Sequence, residues 1–229
     1  MAQRAMDNLL RAMELVHRFS DKGCRAVEDT EDAIDRYEDR LGTYLMKITG
    51  KELSQRQSEE VSKYLHTISD FERISDHAVN LLAASEELRS KGLGFSATAE
   101  KELKVLIGAV SEILNTAERA FSEKDLAAAA QVEPLKQVIV ALKEQMRTRH
   151  ILRMQQGTCS IEAGFVLSDL LTDLERTSDH CSNIAGCVID AGRHNLNLHE
   201  TLRAAQTQDP DYAGRFRAYA QEYCLPEGE

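Results

Sequence analysis

Three pairs of carboxylates share one spacing: Glu31 with Asp35, Glu72 with Asp76, and Glu175 with Asp179. Residues four apart differ by about 40° around an α-helix, so each pair presents two acids on one face. That face is not a plain polar one. Val61, Leu65, Ile68, Val79 and Ala83 follow three- and four-residue steps, and the same steps from Ile68 land on Glu72 and Asp76. Both acids flank the apolar row of Phe71, Ile74, Ala78 and Leu81, and Glu175 and Asp179 lie likewise beside Leu174, Cys181, Ile184 and Val188. Val27, Glu31, Ile34, Glu38, Leu41, Leu45 and Ile48 form a heptad-like series with two acids at core positions. Paired carboxylates at the edge of a core are costly through desolvation and mutual repulsion unless something compensates. A hard cation would compensate: oxygen-rich sites suit Mg, Ca or Mn, and carboxylate-bridged iron or zinc is a further option. The plain alternative is that these acids face solvent or pair with Arg73 and Arg176.

The elements that must position these groups are helices. The chain has 229 residues, 42% of them hydrophobic, with 3 prolines, 12 glycines and no tryptophan. Ala, Leu, Glu, Lys, Arg and Gln dominate, which favours helix and leaves little room for an all-β fold. Turn signals predict helices from the start to about Phe19, from Gly23 to about Ile48, and from Ser54 to about Lys91. Three more are predicted over Ala97 to Phe121, Glu123 to Met154, and Thr158 to Ala191, with a helical tail from Leu198 interrupted near Asp209-Pro210. With 28 Lys plus Arg against 38 Asp plus Glu, the net charge of −10 repels phosphate backbones and argues against nucleic-acid binding. The five cysteines are scattered, with no CxxC pair, so neither a disulfide framework nor a cysteine zinc site is expected. No run of about 18 apolar residues suggests a membrane span.

One pattern is written twice. Asp70-Phe71-Glu72-Arg73-Ile74-Ser75-Asp76-His77-Ala78-Val79-Asn80 returns as Asp173-Leu174-Glu175-Arg176-Thr177-Ser178-Asp179-His180-Cys181-Ser182-Asn183. Phe19-Ser20-Asp21-Lys22 likewise returns as Phe121-Ser122-Glu123-Lys124. The expected fold is all-α: two tandem three-helix bundles, residues 1–93 and 94–195, followed by a C-terminal helical tail over 196–229. If the second and third helices are neighbours, Glu31, Asp35, Glu72 and Asp76 converge, with Glu38 as a further ligand. The second repeat differs. Aligning its helices on the first puts Lys136, Val140 and Lys143 where Glu31, Asp35 and Glu38 stand, so ammonium groups can neutralise Glu175 and Asp179. Glu133 is close enough in sequence to restore a ligand there. His77 and His180 directly follow the motif aspartates, about 100° away around the helix, which suggests roles behind the ligands or in packing.

Glu72-Arg73-Ile74-Ser75-Asp76 and Glu175-Arg176-Thr177-Ser178-Asp179 resemble the twin E(D)xxxD motifs of the PhoU family of phosphate-uptake regulators, and Glu31 to Asp35 matches the companion motif of that family's preceding helix. A narrower resemblance is to the cytoplasmic PhoU-like domain of bacterial sodium/phosphate cotransporters. It rests on Arg149-His150-Ile151, on Gly164 to Leu171, on Asp179 to Ala185, and on the ending from His199-Glu200 to Tyr223. The family resemblance implies side-by-side bundles and multinuclear iron or zinc clusters, with Glu31, Asp35, Glu72 and Asp76 as first-repeat ligands and Glu175 and Asp179 as second-repeat ligands. His77, His180, Arg73 and Arg176 would support them from behind. It implies a non-enzymatic regulator of phosphate transport, working through contact with a membrane transporter domain. On the narrower match that domain belongs to the same chain, at the cytoplasmic face of the inner membrane, and a second copy is a further candidate partner.

Other readings compete. A free-standing PhoU protein would link a phosphate transporter to a sensor kinase. A metal-dependent hydrolase or redox enzyme would need an open coordination position, and Glu14 with His17 is the only ExxH pair, against two in ferritin-like enzymes. A metal-free interaction scaffold would leave the acids to lysine and arginine. Arg147, Arg149, His150 and Arg153 form a basic cluster that reads as a solvated helix face, with phosphate or acidic lipid as the alternative. No P-loop or dinucleotide motif is present.

Overall fold

In a computed structural model of the chain, residues 1–193 and 211–226 are described, and all of their regular structure is helical. The elements are α1 (Ala2–His17), α2 (Asp21–Thr49), α3 (Gln55–Ser90), α4 (Ala97–Glu123), α5 (Leu126–Gln155), α6 (Ile161–Arg193) and α7 (Tyr212–Glu222). The tail expected to be helical from Leu198 lies outside the described residues as far as Pro210.

Local chemistry sets the boundaries. The Ser54 side chain accepts from the Gln57 backbone N–H and the Gln57 side chain accepts from the Ser54 N–H, a capping box that starts α3. Ser20, Ser96 and Asp125 cap α2, α4 and α5 in the same sense, each satisfying amides that would otherwise lack partners. Left-handed residues follow three helices: Gly92 (φ +61°), Lys124 (φ 54°) and Gly157 (φ +70°). Glycine reaches that region without a steric penalty, whereas lysine does not.

α1, α2 and α3 pack on one another as a first bundle, and α4, α5 and α6 as a second, with α7 against α5. The bundles meet chiefly along α3 and α6, with α1 also touching α4. Phe71, Ile74, Ala78 and Leu81 of α3 are fully or nearly fully buried, as are Leu174, Cys181 and Ile184 of α6. Burial of such side chains is worth roughly 1.5–3 kcal/mol each and holds these two helices in register. The stripe of Val61, Leu65, Ile68, Val79 and Ala83 proves secondary: Leu65, Ile68 and Val79 are half-buried and Ala83 is exposed.

The heptad-like series of α2 also needs correcting. Val27 and Ile34 are fully buried, but Leu41 is 38% exposed and Leu45 and Ile48 are only half-buried. Beyond Ile34 no residue of α2 is buried, so its second half adds nothing to the core. The α5 basic cluster is not a solvated face either. Arg149 and Arg153 reach the fully buried Glu102 of α4 at 3.0 and 2.8 Å, and Arg149 also donates to the Pro226 carbonyl at 2.6 Å. α7 completes this clasp through Tyr223, whose hydroxyl bonds Glu112, and Tyr219, whose hydroxyl donates to Gln131 at 3.3 Å.

Candidate functional site: an acidic cluster between helices two and three

Val27 and Ile34 are buried on α2, which packs on α3, and Glu31 and Asp35 near them in sequence meet Asp76 of α3. Carboxylate oxygens of Glu31, Asp35 and Asp76 all come within 4.8 Å of one another, the one such group of candidate ligands among the described residues. Glu72 stands one turn earlier on α3. Its side chain is 15% exposed and lies beside Asp76 and Glu38. Glu38 in turn accepts from the Ser69 hydroxyl at 2.9 Å. Burial first, and the adjacent Asp76 carboxylate second, push Glu72 up to about 7. Burial and the carboxylates of Asp35, Asp76 and Asp32 also raise Glu31. Among the described residues, Arg73 is the one cation paired with these acids: Nε is 3.5 Å from Glu72 and Nη1 3.0 Å from Asp76, on a side chain 62% exposed. A solvated guanidinium offsets little of the repulsion.

The corresponding place on the second bundle is filled differently. Lys136 Nζ is 2.8 Å from Asp179 and Lys143 Nζ 2.9 Å from Glu175. Lys136 therefore meets Asp179 as Glu31 meets Asp76, and Lys143 meets Glu175 where Glu38 approaches Glu72. The ammonium of Lys136 is held above its ordinary range by Asp179, Glu133 and Glu175, against the opposing effect of burial. Glu133 does not join Glu175 and Asp179 as a ligand set. Its carboxylate accepts from Ser182 at 2.5 Å and from Gln137 at 3.0 Å. Arg176 is exposed.

The two histidines face away from the acid pairs, across the bundle interface. His77 Nδ1 lies 2.8 Å from Asp173, and His180 Nδ1 lies 2.9 Å from Asp70. Asn80 donates to the same oxygen of Asp173 at 3.0 Å, and Asn183 to the same oxygen of Asp70 at 3.1 Å. The imidazoles themselves sit 5.6 Å apart, centroid to centroid. Each repeat thus lends an aspartate to the other's His–Asn pair, a reciprocal latch built from the repeated eleven residues. Asp70, Asp173, Asn80 and Asn183 have no assigned role in the sequence reading. The signal was their identity in both repeats, which a purely intra-bundle scheme had no use for.

Fold and site together define an all-α tandem-repeat protein with acids gathered between helices and a polar latch joining the repeats. The chain belongs to the PhoU family: the PhoU domain profile matches residues 1–84 and again residues 103–188. It is 26% identical over 204 residues to the phosphate-specific transport system accessory protein PhoU homolog 1 of Thermotoga maritima, covering 88% of this chain and 86% of that one. It is 25% identical over 189 residues to a PhoU homolog of the same description from Xylella fastidiosa, covering 82% and 79%. Among solved structures, PhoU from Pseudomonas aeruginosa superposes with a TM-score of 0.79 at 19% identity, over 85% of this chain and 93% of that one. The phosphate transport system regulatory protein PhoU from Streptococcus pneumoniae does so with a TM-score of 0.72 at 16% identity, over 85% and 91%. At such identities the structural likeness speaks to the fold. Among the described residues, no helix is long and apolar enough to cross a membrane.

Proposed function

We propose that this chain is a non-enzymatic accessory protein of a phosphate transport system, and that Glu31, Asp35, Glu72 and Asp76 hold a cation that ties α2 to α3. The observation that carries the metal reading is the convergence of Glu31, Asp35 and Asp76 oxygens within 4.8 Å, with only an exposed arginine to offset them. The donor set fits a metal: Glu31 and Glu72, raised above their ordinary range by burial and by neighbouring carboxylates, are groups a divalent ion would ionise and bridge. Oxygen-only donors favour iron, manganese or magnesium over zinc, whose sites lean on nitrogen and sulfur. Glu72 and Glu38 would extend the set from one ion to two. Glu175 and Asp179 are left to their lysines, and His77 and His180 to the latch.

The transport reading rests on the relatives, whose names describe accessory proteins of phosphate-specific transport systems. Those names describe partners of a transport system, so we place the transporter in a membrane complex that this chain contacts. The protein would then act at the cytoplasmic face of the membrane. A bound ion would supply charge neutralisation between α2 and α3. The residues themselves would set the rigidity of the α2–α3 pair, and the exposed Tyr37, Leu41, Tyr44 and Met46 of α2 offer an apolar surface for contact with the transporter. Two measurements test this reading. Added Mn²⁺ or Fe²⁺ should raise the Tm of chelator-treated wild type and leave Glu31→Ala/Asp76→Ala unmoved. The tagged full chain should co-purify with a phosphate transporter, and Leu41→Asp/Tyr44→Asp should abolish this. A Tm that ignores metal, or co-purification untouched by the double aspartate variant, would overturn the corresponding half.

A further inference from the structure

Sharing no residue with the acidic cluster, a cleft of about 550 Å³ opens between the first third of α3, the α4–α5 turn and the end of α6. Its size sits within the roughly 300–1,000 Å³ of small-molecule sites. Three cations line it, Arg56, Lys63 and Lys124, and none has an ion-pair partner among the described residues. In a chain of net charge −10, three cations around one cleft, unpaired among the described residues, are a local reversal of sign. Lys124 adds a separate observation. It holds the left-handed conformation (φ 54°) that closes α4, a position where glycine serves elsewhere in this fold, and it lines the cleft from that strained cap.

The rest of the lining narrows the ligand. Tyr64 and Phe121 offer ring faces, and Phe121 is held edge-on to Phe71 at 5.0 Å, so its orientation is set. Val188 and Leu126 add apolar wall. Glu59 and Glu60 also line the cleft, leaving a surplus of one positive charge. A bare polyanion would be repelled by these two acids, and inorganic phosphate would leave most of the volume unfilled. A ligand that combines one phosphoryl group, a flat apolar ring and several hydroxyl or amino donors uses every part of the lining.

We propose that this cleft binds a nucleoside monophosphate, with the phosphoryl group toward Arg56, Lys63 and Lys124, the base against Tyr64 and Phe121, and the ribose or base donors toward Glu59 and Glu60. The site shares no residue with the acidic cluster, so it stands or falls independently of the metal.

The test is isothermal titration calorimetry of the full chain with AMP, GMP, ATP and inorganic phosphate. AMP or GMP should bind at least tenfold more tightly than inorganic phosphate and more tightly than ATP. Lys63→Glu/Lys124→Glu should weaken AMP binding at least tenfold, and Arg56→Ala, on an exposed side chain, should weaken it several-fold without touching the fold. Lys101→Glu, on the exposed face of α4, and Glu31→Ala/Asp76→Ala should leave it unchanged. No heat with either monophosphate, equal binding of inorganic phosphate or ATP, or AMP binding indifferent to Arg56→Ala and to the charge reversals would overturn the assignment.

Discussion

The two repeats set the same Glu–Asp pair on α3 and on α6 and then put opposite charges in front of it. Glu72 and Asp76 look onto Glu31, Asp35 and Glu38, whereas Glu175 and Asp179 look onto Lys143 and Lys136. One arrangement is complete as folded. The other carries like charges at close range, and burial pushes Glu31 and Glu72 toward protonation. A duplicated scaffold can therefore hold the same packing problem with two different solutions, one supplied by the chain and one left to an ion. The latch teaches the complementary point. Asp70 with His180 and Asn183, and Asp173 with His77 and Asn80, are chemically equivalent halves, because each joins one repeat to the other and neither repeat could change its half alone.

The sharpest way to break the contrast is to convert the second site into the first. Lys136→Glu/Val140→Asp/Lys143→Glu removes both partly buried ion pairs and leaves like charges facing Glu175 and Asp179. It should cost about 3 kcal/mol, lowering the metal-free Tm by roughly 6–12 °C in a chain of this size. Mn²⁺ should then recover part of the loss by linkage, as measured by calorimetry with and without chelator.

Next in size is the latch. Asp70→Ala and Asp173→Ala should each cost about 1–3 kcal/mol by urea unfolding, because each strands a His–Asn pair at the interface. His180→Ala added to Asp70→Ala should cost little more, whereas Asp173→Ala added to Asp70→Ala should cost nearly its full amount. Strong coupling between the two aspartates would show the halves to be one network.

The converse conversion, Glu31→Lys/Glu38→Lys, should raise metal-free stability by about 1 kcal/mol and erase any thermal response to metal. A further effect is one of pH. Glu72 binds its proton in the folded chain up to about 7, against 4.5 as its ordinary value. Between those values the folded state holds more protons than the unfolded one, so metal-free stability falls as pH rises through that window. Glu72→Gln should flatten this slope in Tm measured from pH 4.5 to 7.

Much of this was legible in the sequence, for definable reasons. The cap residues Ser54, Ser96 and Asp125 and the turn glycines Gly92 and Gly157 mark helix ends through local chemistry, and six helices fall within a few residues of their expected bounds. The lysine-for-acid exchange could be read because the repeat supplies its own alignment. The exposure of the second half of α2 could not. Leu41, Leu45 and Ile48 keep core spacing, but spacing does not say whether another helix covers that stretch. The histidines were read against the acids nearest in sequence, whereas a helix carries chemistry on every side and the far side of α3 faces α6. Glu102 with Arg149 and Arg153 was hidden for the same reason, as its partners lie 47 and 51 residues away.

The most direct test of the central claim, that only the first repeat needs an ion, is elemental analysis by ICP-MS of protein purified without chelator. Wild type would be compared with Glu31→Ala/Asp76→Ala and with Glu175→Ala/Asp179→Ala. The account predicts one to two metal ions per chain in wild type, loss of most of that in the first variant, and no loss in the second. Equal loss from both variants, or no metal bound by wild type even after reconstitution with Fe²⁺ or Mn²⁺, would contradict it.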